Sequence, residues 1–234
     1  MASLFLIPAP LSDGSDAVLA APAAIATVHA LTVFVVENAK TARATLKRYG
    51  YPHPIAQAQL LTLNEHSRPA DLQAGLAPLM AGQDVGLMSE AGCPAVADPG
   101  ADLVRLAHQH GIRVVPMVGP SSILLALMAS GLNGQRFRFC GYLPVERAAR
   151  VEAIRAMEER SRKEQETQIF IETPYRNEPL FEALQATCTA STLLCVGAAL
   201  TSPQESIATR TIEAWRTVQP TLERCPTVFL LLAT

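Results

Sequence analysis

Five deficits narrow the field before any motif is read. Aromatic residues make up only 5% of the 234-residue chain, with a single Trp, so little flat surface is available for stacking on unpaired bases. Charged residues are 17%, below the roughly 25% that is usual. Nineteen Lys and Arg against 21 Asp and Glu leave a formal charge of −2, which argues against a globally basic nucleic-acid binder. The five cysteines (Cys93, Cys140, Cys188, Cys195, Cys225) are odd in number and show no C-x-x-C spacing. Neither a disulfide framework nor a zinc site is expected, and free thiols in a reducing cytoplasm are. The five His also lack ligand spacing, so no metal is expected.

The fifth deficit is basic residues near the start. None precedes Lys40, so the basic region of a secretory leader is missing. The uncharged stretch 17–36 is long enough to span a bilayer, but its character changes midway. Small helix formers run to Ala26, and then Thr32-Val33-Phe34-Val35-Val36 follows. A helix and a buried strand explain it better than a membrane span.

What is present is apolar and alternating. Hydrophobic residues are 49%, enough for a sizeable core. Short apolar runs at 4–7, 32–36, 60–63, 85–88 and 113–117 predict strands. Helical stretches at 15–24, 38–49, 69–81 and 98–111 lie between them. Asn38 is the expected cap of the second helix, and Asp98-Pro99 the expected start of the fourth. Strands apolar on both faces, alternating with helices, predict a parallel sheet covered by helices. Ligands then gather outside the carboxyl ends of the strands.

The second half is less regular. An apolar helix at 121–129 is followed by strands at 137–142, 168–172, 192–198, 206–210 and 227–232. Helices are expected at 178–187 and 211–217, and a charged, solvated one at 146–166. The reading is α/β with two α/β domains, 1–117 and 118–234. The first carries a parallel sheet with flanking helices and the second a mixed sheet.

Three stretches carry chemistry. Ser89-Glu90-Ala91-Gly92-Cys93-Pro94, with Ala97-Asp98-Pro99-Gly100 close behind, reads as a ligand loop or as a plain turn. Val118-Gly119-Pro120-Ser121-Ser122 opens a helix that either serine can cap. In Ile171-Glu172-Thr173-Pro174-Tyr175-Arg176, Glu172 either contacts a ligand or pairs with Arg176.

Together these stretches resemble the tetrapyrrole methylase superfamily of S-adenosylmethionine-dependent methyltransferases. The similarity is strongest to its branch that methylates a ribose 2′-hydroxyl in small-subunit ribosomal RNA. The family's S-D-A-G-T-P and S-D-P-G correspond to residues 89–94 and 97–100. Its P-G-P-S-A and S-G-L correspond to 118–122 and to Ser130-Gly131-Leu132. G-F-L-P corresponds to Gly141-Tyr142-Leu143-Pro144, and Y-E-S-P-H-R to residues 171–176. The acidic E-D-T is here Glu37-Asn38-Ala39, the N-terminal A-T-P-I-G-N-L survives only as Pro8 and the loop after it, and E-L-T-K is Ala199-Leu200-Thr201-Ser202.

The resemblance implies a homodimer with S-adenosylmethionine in a cleft between two domains. It implies cofactor contacts from Pro8, Ser89, Glu90, Ala91, Gly92, Pro94, Ser121, Ser122, Glu172, Ala199, Leu200 and Thr201. It implies ribosomal RNA or the small ribosomal subunit as partner, and a role in rRNA processing. Other readings are a tetrapyrrole or other small molecule as acceptor, or a binding protein that no longer catalyses.

A hydroxyl acceptor benefits from a general base. Glu37 is the first candidate, since it ends a buried strand on the ligand-facing edge; a helix-capping or surface carboxylate is the other reading. Glu90 is the second candidate, with shaping of its own loop as the other reading. Lys40, Arg43 and Lys47 share one helix face, and no acidic residue occurs between Glu37 and Glu65. That face either attracts substrate phosphates or is merely solvated. Arg136, Arg138, Arg147 and Arg150 form a weaker basic set.

Overall fold

Five short runs of aliphatic residues form the first sheet: β1 (Ser3–Ile7), β2 (Val33–Val36), β3 (Gln59–Thr62), β4 (Val85–Met88) and β5 (Arg113–Pro116). Their order is β3-β2-β4-β1-β5, and every pairing is parallel. These assignments come from a computed structural model that describes residues 2–12, 22–222 and 224–233. The chain divides into two compact units, Met1–Ser121 and Ser122–Thr234.

Alternation along β2 shows why both faces are covered. Val33 and Val35 point into one cluster with Leu4, Val85 and Leu87. That cluster is sealed by Leu76 and Leu79 of α3 (Pro69–Met80) and Leu103 of α4 (Ala101–Gln109). Phe34 and Val36 point the other way, to Ile7 and Met88. There they meet Val28 of α1 (Pro22–Ala30) and Leu46 of α2 (Ala39–Arg48). Each such side chain contributes about 1.5–3 kcal/mol by leaving water.

The second unit starts with α5 (Ser122–Ser130) and carries β6 (Phe137–Tyr142), α6 (Arg147–Glu164), β7 (Thr167–Glu172) and α7 (Asn177–Thr187). It continues with β8 (Leu193–Ala198), β9 (Ser206–Thr211), α8 (Ile212–Trp215) and β10 (Thr227–Leu232). The sheet order is β6-β7-β10-β8-β9. Only β6 and β7 pair in parallel, so the sheet is mixed. Phe170, Leu194 and Phe229 face Ile154, Leu180 and Leu184 of α6 and α7. Ile169, Cys195 and Leu230 face Ile123, Ala126 and Leu127 of α5.

Three expectations need correction. The first helix runs on to Ala30 rather than ending at 24. The earlier part of the expected helix, 15–21, lies outside the described residues. Asp98-Pro99 does not start α4; Gly100 is its cap residue, at φ +124°. A Cβ there would lie 2.8 Å from Leu87 Cδ2, so packing on β4 fixes where that helix begins. α6 is not simply solvated, since Ile154, Met157, Glu158 and Ser161 are buried. The Glu158 carboxylate accepts from Thr189 N–H and the Thr192 hydroxyl, which makes its burial tolerable.

Candidate active site

A parallel sheet brings its carboxyl ends to one edge, and in the first unit that edge collects the expected residues. The loop after β1 and the loop after β4 pair as a two-residue antiparallel bridge. Ala9 N–H donates to the Gly92 carbonyl at 2.8 Å, and Gly92 N–H to the Ala9 carbonyl at 3.0 Å. The Tyr49 hydroxyl donates to the Pro8 carbonyl at 2.9 Å, and burial pushes that phenol well above its ordinary range. The Cys93 thiol donates to the Pro120 carbonyl at 3.4 Å. A Cβ on Gly119 would lie 2.2 Å from the Pro8 ring, so the loop after β5 reaches the loop after β1 only with glycine at 119. Pro8, Gly92, Pro94 and Ser89 thus come together in one framework, with Glu90 and Ala91 exposed at its rim. Ser121 ends this unit, and Ser122 is the first residue of α5.

Three carboxylates line the same edge. Glu37 follows β2, its backbone N–H donating to the Met88 carbonyl at 3.2 Å. Its Oε2 accepts from Glu90 N–H at 3.1 Å. The Thr41 hydroxyl donates to Glu90 Oε1 at 3.0 Å. Burial raises the Glu37 carboxyl above the ordinary range; the Glu90 N–H partly opposes this, and the charges of Glu90 and Glu65 add to it. Asp98 is pushed up to about 6, first by burial and then by the charge of Glu37. The Ser89 hydroxyl, beside the Asp98 carboxyl, partly opposes that rise. The loop carrying Asp98 holds Ala95 and Ala97 at φ 65° and 63°, a conformation most side chains avoid.

Sequence reading placed Asp98 in the ligand loop, with a helix start as its only individual role, and missed Thr41 and Tyr49 as members of this edge. The latter two lie within or just beyond a helix that showed only its basic face. Asn38 does cap α2, accepting from Lys40 N–H at 2.9 Å. Lys40, Arg43 and Lys47 are exposed on that helix.

In the second unit the register aligns another set. Thr227 of β10 pairs with Glu172 on one side and Ala198 on the other. Glu172 Oε1 accepts from Thr173 N–H at 2.7 Å and from Arg176 Nε at 3.0 Å, and Arg176 Nη2 closes an ion pair. Oε2 of this enclosed carboxylate has no partner among the described residues. Ala199 N–H donates to the Pro226 carbonyl at 2.9 Å, and Thr201 N–H to Glu205 Oε2 at 2.7 Å. Ala199 and Thr201 sit at φ 49° and 67° on either side of buried Leu200, another strained loop.

Among the described residues no group of His, Cys, Asp and Glu suits a metal ion. All five cysteines are free, and none of the described helices is long and apolar enough to cross a membrane.

Residues 3–215 match the model of the tetrapyrrole (corrin/porphyrin) methylases. The chain is 35% identical, over 91% of its length and 68% of the relative's, to "Ribosomal RNA small subunit methyltransferase I" of Mesorhizobium japonicum. It is 31% identical to the protein of that name from Escherichia coli O157:H7, over 87% of this chain and 67% of that one. It is 33% identical to the Pseudomonas aeruginosa protein, over 74% of this chain and 57% of that one. The chain therefore spans about two thirds or less of these relatives.

Among solved structures, the methyltransferase CobJ superposes with a TM-score of 0.64 at 18% identity, covering 100% of this chain and 94% of that one. The uroporphyrin-III-C-methyltransferase of Thermus thermophilus gives 0.58 at 16% identity, covering 99% and 94%. These two share the fold of two α/β units. With its loops assembled at the edge of the first sheet and nearly its whole length matched, the chain belongs to the tetrapyrrole methylase family and is a methyltransferase.

Proposed function

We propose that the chain transfers a methyl group from S-adenosylmethionine to a ribose 2′-hydroxyl of small-subunit ribosomal RNA. The observation that carries this reading is the bridged edge of the first unit, where Pro8, Ser89, Gly92 and Pro94 meet three carboxylates. The printed names of the relatives support RNA as acceptor. Pro8, Ser89, Glu90, Ala91, Gly92, Pro94 and Ser121 of the first unit would hold the cofactor. In the second unit, the residues proposed for the cofactor are Ser122, Glu172, Ala199, Leu200 and Thr201. The residues present fit a ligand rich in donors: the unpartnered Oε2 of Glu172 is a buried acceptor. When bound, the sulfonium supplies an already activated methyl group. The protein then has to hold the acceptor hydroxyl in line and take its proton.

Lys40, Arg43 and Lys47 extend from the carboxylate edge on α2, where they would meet RNA phosphates. The reading also includes a homodimer, supported by the large apolar side chains left exposed, among them Val118, Met128 and Tyr175. Light scattering near twice 25.0 kDa fits it, and a value near 25.0 kDa at micromolar concentration removes it.

The test of function is transfer of labelled methyl to isolated small ribosomal subunits, beside a tetrapyrrole arm. Calorimetry with S-adenosylmethionine runs in parallel on the wild type and Gly92→Val. Label in the RNA, with binding weakened in the variant, is the expected result. Label only in the tetrapyrrole, or in neither, overturns the RNA acceptor.

A further inference from the structure

We infer that Tyr49 is a positioning residue for the methyl donor: through the Pro8 carbonyl, its hydroxyl holds the loop after β1 in the shape that receives the cofactor. The inference rests on the reading above, because it takes Pro8 and Gly92 as cofactor contacts.

The loop needs such a hold. The parallel register of β1 with β4 ends at Ile7 and Met88. Pro8 has no N–H, so its carbonyl is its one backbone hydrogen-bonding group. Pro8 is buried, and a buried carbonyl without a donor is costly. The Tyr49 hydroxyl supplies the donor at 2.9 Å. One residue on, Ala9 exchanges two bonds with Gly92, at 2.8 and 3.0 Å. The Tyr49 bond therefore lies next to the bridge that joins the loops after β1 and β4.

Tyr49 is itself fixed. It is 2% exposed and packs in the cluster of Ile7, Phe34, Leu46 and Met88. Its N–H donates to the Thr45 carbonyl at 3.0 Å, and its carbonyl accepts from His29 Nε2 at 2.7 Å. Burial raises its phenol far above the ordinary range, so the hydroxyl stays a donor.

The residue also caps α2, and that helix is fastened to both loops. Arg48, its last residue, donates from Nη1 to the Ser12 carbonyl at 3.0 Å, a second hold on the loop after β1. In its first turn the Thr41 hydroxyl donates to Glu90 Oε1 at 3.0 Å, on the loop after β4. The ten residues of α2 make a strut about 15 Å long, which sets the spacing of the two loops.

The same cluster offers a control. The Tyr51 hydroxyl donates to the Leu31 carbonyl at 2.6 Å. Leu31 precedes β2, so this bond has the same chemistry at the amino end of the sheet, away from the cofactor edge.

The test is calorimetry with S-adenosylmethionine on the wild type, Tyr49→Phe and Tyr51→Phe. Single-turnover methyl transfer to small ribosomal subunits at saturating cofactor accompanies it. Tyr49→Phe should raise the cofactor Kd about three- to tenfold, as loss of one hydrogen bond implies, at unchanged stoichiometry. Its rate at saturating cofactor should stay within about twofold of the wild type, since uniform binding is what has been removed. Tyr51→Phe should keep the wild-type Kd.

A wild-type Kd in Tyr49→Phe overturns the assignment while leaving the functional reading intact. So does an equal rise in Tyr51→Phe, or a fall in stoichiometry alone, which a merely structural role would give. A wild type that binds no S-adenosylmethionine overturns that reading and this assignment together. If Tyr49→Phe fails to fold, hydrogen exchange in the unaltered protein decides. Cofactor should slow the Ala9 and Gly92 amides and leave Gln59, which donates to Thr32 at the amino end, as it was. Unchanged exchange at Ala9 overturns the proposal.

Discussion

The two units bury carboxylates in opposite ways. In the second, Glu172 is enclosed but answered by the Arg176 guanidinium and by Thr173. In the first, the charged neighbours of Asp98 and Glu37 are other carboxylates. A paired charge is a construction element, holding β7 to the turn after it. Crowded like charges in a half-buried edge store proton affinity, which a catalytic edge can use. The contrast is between a carboxylate answered by a cation and carboxylates crowded by like charge.

Breaking the pair should have the largest effect. Arg176→Ala leaves Glu172 enclosed without its cation and should cost about 3–5 kcal/mol in urea unfolding. A loss below about 1 kcal/mol would make the pair an ordinary surface contact.

Gly119→Ala comes next. The new methyl would occupy the space of the Pro8 ring, so the loops after β1 and β5 must part. A loss of about 1–3 kcal/mol is expected, with weaker cofactor binding by calorimetry. Unchanged binding would remove Pro8 from the site.

How much of this was legible follows from how local each signal is. The period of two in Val33-Phe34-Val35-Val36 and the cap at Asn38 are written within a few residues, and both appear where the sequence puts them. The start of α4 depends on Leu87 meeting Gly100, and the cost of burying Glu158 depends on Thr189 and Thr192. These are contacts between segments distant in sequence, which no local pattern encodes. The same holds for the site. The motif of residues 89–94 could be read from the chain, but its closure on Ala9 and the gathering of Glu37, Glu90 and Asp98 needed the sheet order. Likewise, Glu172 and Ala198 share a row only because β10 lies between their strands.

A smaller effect carries an informative sign. The folded Asp98 is raised from 3.8 to about 6, so the folded protein binds this proton more tightly than the unfolded chain does. Its ionisation lowers stability as pH rises through that window. Asp98→Asn should therefore raise the melting temperature near pH 8 by about 2–4 °C, roughly 1 kcal/mol in a chain of this size. The gain should vanish near pH 4. An equal gain at both would point to packing rather than charge.

Replacing Lys40, Arg43 and Lys47 together by Ala should change stability least, within about 0.5 kcal/mol. The logarithmic salt slope of RNA binding should fall by about 2–3, with cofactor affinity unchanged. An unchanged slope would make the α2 face merely solvated.

The most direct test of the contrast between a paired carboxylate and crowded ones is urea unfolding of the wild type and of Asp98→Asn between about pH 4 and pH 8. The stability of the wild type relative to the variant should fall as pH rises through about 6. A difference that is the same at both ends of the range would contradict the account.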